Sequence, residues 1–104
     1  MNYRNPAVLQ EAQNHPCQLC GANDGSVVAA HSNQSVHGKG MALKANDWAV
    51  AYLCSICHHQ IDQGFLYTKH QKQQLWNQAH KKSVPLFIHL LDEETKQLLE
   101  NANV

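Results

Sequence analysis

The chain has 104 residues, of which 43% are hydrophobic, with eight Lys or Arg balanced by eight Asp or Glu; this fits a single small domain spanning 1–104 and excludes a strongly basic nucleic-acid binder. The balance is uneven, since residues 1–90 carry seven Lys or Arg against four Asp or Glu and residues 91–104 carry one against four, so a mildly basic body precedes an acidic tail. No apolar run reaches the ~18 residues of a membrane span, and residues 1–16 lack the charged-then-apolar layout of a signal peptide, so the expectation is a cytoplasmic protein with no membrane partner.

In chain order, Asn2 to Pro16 is polar with Ala7, Val8, Leu9 and Ala12 interspersed, and reads as a short helix or an arm without an assigned function. Cys17-x-x-Cys20 follows, then a turn over Gly21 to Gly25 and a short buried strand over Ser26 to Ala30 that ends at His31. His31 to Asp47 is loop-like around Gly38-Lys39-Gly40, and Trp48 to Leu53 reads as a strand delivering Cys54-x-x-Cys57. The second pair opens a helix over Ser55 to Gln63, stopped by Gly64.

Phe65 to Lys82 is a second helix by pattern, with Leu75, Trp76 and Ala79 on its apolar side and Lys69, Lys72, Lys81 and Lys82 around the rest. Its lysines suit either a phosphate-facing surface or the ordinary solvated face of an amphipathic helix. Val84 to Leu91 is an apolar run in which Pro85 disfavours an interior strand, leaving an edge strand or a helix start. Asp92-Glu93-Glu94 ahead of Leu98-Leu99 resembles a helix opening with carboxylates at the positive end of the dipole.

The four cysteines are the only ones present. Two residues between the members of each pair let both thiolates turn toward one ion, so Cys17, Cys20, Cys54 and Cys57 match a structural zinc site. Two disulfides, or one redox pair with bystanders, are the competing readings. A knuckle, two strands and a helix beginning at the second pair describe an α+β fold: a small zinc-stapled treble-clef or ββα-metal module over 15–64, with additional C-terminal helices over 65–104. Beyond the zinc, His58 and Asp62 are four apart, lie on one helix face and can share a second ion, with His31 opposite them across the hairpin.

This arrangement resembles the HNH, or ββα-metal, nucleases, and most closely the small phage and prophage members. The matching elements are Ala30-His31, Gly38-Lys-Gly-Met41, Lys44-Ala-Asn-Asp47 and Leu53-Cys-Ser-Ile-Cys-His58, within roughly residues 15–64. The resemblance implies a DNA endonuclease in which His31 is the general base and His58 a ligand of a catalytic divalent ion, Mg2+, Mn2+ or Zn2+. Asp62 stands where related enzymes have a second helix histidine. Beyond DNA, a second copy in a homodimer and phage or host recombination or replication proteins are partners compatible with it.

Two departures limit the carry-over. Ala30 occupies a position where many members have a metal ligand, and Ala49 lies where the family asparagine is usual; Asn46 or Asp47 could bracket the loop instead. The chemistry is coherent without the family: a histidine, ordinarily titrating at ~6.5, deprotonates water, a cation on His58 and Asp62 neutralises phosphate charge, and Lys39 and Lys44 hold the backbone. Against these stand plainer roles, a capping or core histidine for His31 and a hydrogen-bonded helix residue for His58. A treble-clef module that binds nucleic acid without cleaving it, or a zinc-stapled protein-interaction domain, are the alternatives of different class.

Of the remaining histidines, His37 could substitute for the ligand missing at Ala30, His15 could neighbour the zinc, and His59 points away from the metal face. His70, His80 and His89 read as surface or packing residues, and Trp48 and Trp76 as core.

Overall fold

Val28–His31 (β1) and Val50–Leu53 (β2) pair antiparallel, with Val28 opposite Leu53 and His31 opposite Val50. The computed structural model describes residues 2–34, 37–40 and 44–102, so Met41 of the sequence motif lies outside the described residues. Among these, a two-stranded sheet and four α-helices form a small compact α+β arrangement: α1 (Pro6–Glu11), α2 (Ser55–Asp62), α3 (Lys69–Phe87) and α4 (Glu93–Ala102). Among the described residues no helix is long and apolar enough to cross a membrane.

All four residues of β2 are fully buried, which a two-stranded hairpin cannot achieve alone. The cover comes from α3. The Tyr52 amide donates to Ser83 Oγ at 2.9 Å and His80 Nδ1 donates to the Val50 carbonyl at 2.8 Å, so two helix side chains occupy the outer edge of β2 where a third strand would pair. That blunts the edge against other chains. On the other side the Tyr52 hydroxyl donates to the Val8 carbonyl at 2.5 Å, which docks α1. Tyr52→Phe should leave that buried carbonyl unpaired and cost roughly 1–3 kcal/mol, read as a lower urea midpoint with an unchanged denaturant slope.

The expected second helix, Phe65 to Lys82, is displaced at both ends. It starts at Lys69 because Thr68 and Gln71 form a reciprocal capping box, and it continues to Phe87. The apolar run of Val84 to Leu91 is therefore neither an edge strand nor a helix start: it completes α3 and then forms a 3-10 turn over Ile88–Leu90. Pro85 costs this helix the bond to the Lys81 carbonyl, and Phe87, fully buried and closing on Tyr52 with ring centroids 5.7 Å apart, offsets that loss. The strands are shorter at their entry than the apolar pattern suggests, since Trp48 and Ala49 belong to a turn. The helix over Ser55–Asp62 and the opening of α4 after Asp92, which accepts from the Thr95 amide and hydroxyl, match their expectations.

Candidate metal centre and adjoining cleft

The Cys17 knuckle is built by backbone bonds. Cys17 N–H donates to the Ala22 carbonyl at 2.8 Å, Gly21 N–H returns to the Cys17 carbonyl at 2.9 Å, and Gly21 holds φ +82, a left-handed conformation suited to glycine. Gln18 N–H donates to the Tyr52 carbonyl at 2.9 Å, which fixes the knuckle beside the end of β2. Cys54 then leaves β2 and caps α2, and one turn later Cys57 faces the same point.

The four Sγ atoms all lie within 4.8 Å of one another, and among the described residues this is the one group of three or more His, Cys, Asp or Glu side chains so arranged. All four cysteines are free, and Cys20 Sγ lies 3.6 Å from Cys54 Sγ. A tetrahedral ion with metal–sulfur bonds of ~2.3 Å sets its sulfurs about 3.8 Å apart, so the donor set could hold a metal ion such as zinc. Burial, with the neighbouring cysteine thiols, raises Cys54 and Cys57. Burial also works against ionising Cys17, but the backbone N–H groups of Cys20, Cys54 and Leu19 outweigh it and bring that thiol to about 6. A divalent cation is what would let all four ionise together.

A cleft of about 190 Å³ opens beside this centre, and its lining includes His31, Lys39, Lys44, His58 and Asp62. The residues read as base, ion ligands and phosphate holders thus line one hollow, whereas His37, offered as a substitute for the ligand missing at Ala30, does not. His58 and Asp62 stand one helical turn apart, Nε2 to Oδ2 at 3.9 Å. Asp62 Oδ1 accepts from Asn33 Nδ2 at 2.8 Å, a contact invisible at a sequence separation of 29.

His31 is not a solitary end-of-strand residue. Its Nε2 lies 2.8 Å from Asp47 Oδ1, and because an ionised carboxylate only accepts, Nε2 is the donor in this bond. Asp47 is 2% exposed and is itself held by the Asn5 amide at 2.7 Å and by Arg4 Nη1 at 3.2 Å. Burial pushes the Asp47 carboxyl up, but the hydrogen bonds from His31 and Asn5 and the nearby charges win and hold it below the ordinary value. The polar N-terminal arm therefore secures the orienting partner of His31.

The same arm shapes the lysine loop. Asn2 Nδ2 donates to the carbonyls of Gly38 at 2.7 Å and Lys44 at 2.8 Å, and Asn46 Nδ2 donates to the His37 carbonyl at 2.9 Å. Gly38 sits at φ +94 under both amides, where an added Cβ would come within 2.8 Å of each amide nitrogen. Only glycine fits there.

The other histidines are engaged elsewhere. His15 Nε2 pairs with Glu11 Oε2 at 2.8 Å and its ring stacks on Tyr52. His37 turns inward: Nδ1 meets Ser32 Oγ at 2.7 Å and its ring contacts Trp48, Trp76 and His80. Burial lowers His37; burial also lowers His80, with help from His37 and against the Val50 carbonyl. Both thus bind protons less readily when folded than when unfolded. Their contribution is complete above the unfolded value of ~6.5 and is lost as pH falls below it, because the unfolded chain then takes up more protons. The urea midpoint should drop between pH 7.5 and 5.5, and His37→Gln should flatten that drop; an unchanged slope would count against it.

Comparison with protein-family models, with curated proteins and with solved structures finds no match.

Proposed function

We propose that this protein is a metal-dependent HNH-type DNA endonuclease on a treble-clef, ββα-metal scaffold, with structural zinc on Cys17, Cys20, Cys54 and Cys57. One observation carries the reading: the shared cleft that gathers a histidine base candidate, a His58 and Asp62 ligand pair, and Lys39 and Lys44. His58 and Asp62 would hold the second divalent ion, which supplies Lewis-acid neutralisation of charge on the phosphate and the leaving oxygen.

The chain's own residues divide the remaining work. Asp47 fixes the His31 ring with Nε2 protonated, so Nδ1 is the atom that takes the proton from the attacking water. Lys39 and Lys44, exposed on the cleft lip, hold flanking phosphates as point charges. The test is cleavage of supercoiled, linear, single-stranded and branched DNA with Mg2+, Mn2+ or Zn2+, comparing wild type with His31→Ala.

A second reading, a treble-clef module that binds nucleic acid or a protein without cleavage, is favoured by the thin ligand set. Ala30 supplies no donor, and Asn33 already engages Asp62. An inert wild type that binds DNA in a salt-dependent way would select the nucleic-acid form of it, and no DNA binding at all the protein-partner form.

A further inference from the structure

Asp62 lines three adjoining hollows, of which the cleft beside His31 is the middle one. On one side lies a hollow of about 270 Å³ reached past His58. On the other lies one of about 280 Å³, sharing Asn33 and Asp62 with the cleft and lined further by Gln34, Ile61, Lys69, Lys72 and Trp76. A track of linked hollows suits a chain ligand rather than a single small molecule.

The Lys69 hollow combines three features that a nucleotide needs. Ile61 and Trp76 give an apolar floor, and the Trp76 ring is fixed by its Nε1 donating to the Ala30 carbonyl at 3.0 Å. Lys69 and Lys72 supply positive charge one helical turn apart. The amide nitrogens of Asn33 and Gln34 are taken by Asp62 and Asn77, leaving their carbonyl oxygens as acceptors for the exocyclic amino group of a base. At about 280 Å³ it is near the lower end of ligand pockets, a size for one nucleotide.

The turn that leads into Lys69 adds an independent observation. Phe65, Leu66 and Tyr67 are consecutive and 101%, 71% and 39% exposed, an apolar run that leaves two of its side chains largely in water and one partly covered. Exposed aromatic rings beside lysines are what single-stranded nucleic acid stacks on, since every base offers a π-face. A paired base is already stacked and cannot enter such a pocket without being unpaired.

We propose that the hollow between Asn33–Gln34 and the start of α3 is a nucleotide subsite that takes one unpaired nucleotide of a DNA single strand, with its phosphates on Lys69 and Lys72 and the Phe65–Tyr67 turn stacking the next base. It rests on the DNA-cleavage reading for the direction of the strand through the middle cleft. The substrate class it selects is single-stranded or junction DNA over continuous duplex.

The test is fluorescence anisotropy of a labelled short mixed-sequence oligonucleotide, single-stranded or as a duplex, with the full zinc-loaded chain and no added catalytic ion. Wild type should bind the single strand more tightly. Lys69→Gln/Lys72→Gln should weaken single-strand binding about tenfold and reduce the slope of log K against log salt by ~1.4, two phosphates at ~0.7 each. Phe65→Ser/Tyr67→Ser should lose at least about fivefold, as for one lost stacking contact. Lys81→Gln/Lys82→Gln, exposed on the same helix but outside the hollow, is the control and should change little.

Equal losses in the two lysine pairs, equal binding of duplex and single strand, or no binding by wild type would each overturn the subsite. Because no step of the assay requires cleavage, its failure is separable from that of the nuclease reading. A single strand held tightly in this assay yet left uncut once Mg2+, Mn2+ or Zn2+ is added keeps the subsite and sinks the enzyme, while duplex cutting that is unaffected by Lys69→Gln/Lys72→Gln does the reverse.

Discussion

Cys54→Ser is expected to abolish the cooperative fold of the chain. Cys54 is the joint of the molecule: it ends the fully buried β2, caps α2 and lies 3.6 Å from Cys20 of the knuckle, so one thiolate ties three segments to one point. Structural zinc in small modules contributes ~10–16 kcal/mol of apparent binding energy that is also folding energy, whereas a domain of this size is stable by only ~5–15 kcal/mol. A serine hydroxyl is a poor replacement for a soft thiolate. Far-UV circular dichroism should lose the cooperative transition and metal analysis should show no stoichiometric zinc in the variant against one per chain in wild type. A wild-type protein with two disulfides and no zinc would refute the assignment, and so would a variant that keeps both the metal and the melt.

The four-cysteine cluster was legible because it is written locally, as two pairs with fixed spacing. The helix after Cys54 was legible for the same reason, and so was the meeting of His31 with His58 and Asp62, which follows once a hairpin and a helix share the cysteine joint. What was not legible depends on contacts far apart in sequence. Thr68 could not be ranked as the start of α3 over Phe65 by apolar period alone; the capping box with Gln71 decides it. Pro85 argued against regular structure, but burial of Phe87 against Tyr52 offsets the lost helix bond.

The larger omission was the N-terminal arm. Asn2, Arg4 and Asn5 have no motif, yet their bonds reach loop residues about 40 positions away, from Gly38 to Asp47. Asp47 did carry a signal, since it closes the Lys44-Ala-Asn-Asp47 element of the family resemblance, but composition alone could not pair it with His31. Asn33 carried none. The consequence is that the cleft is assembled from three regions: the hairpin between the two cysteine pairs gives His31, α2 gives His58 and Asp62, and the arm holds the loop that presents Asp47, Lys39 and Lys44.

With a divalent ion present, wild type is expected to nick or cut DNA, and His31→Ala to lower that activity by ~10²–10⁴-fold while leaving zinc content and the far-UV spectrum as they were. The fold should survive because His31 sits at the end of β1 and, among the described residues, its ring bonds only to Asp47. DNA binding should survive too, since Lys39 and Lys44 are untouched. Asp47→Asn sharpens the test: it keeps the shape but leaves one acceptor oxygen for both the Asn5 amide and His31, so with the –NH2 turned to the ring Nε2 is no longer committed to carrying the proton, and kcat should fall while KM holds. Mild chelation should stop cleavage before it melts the domain, because two ligands at His58 and Asp62 would release an ion more readily than four converging thiolates. A His31→Ala protein that cuts as fast as wild type would remove His31 from the chemistry, and a wild type inert on every DNA form with every ion would remove the nuclease.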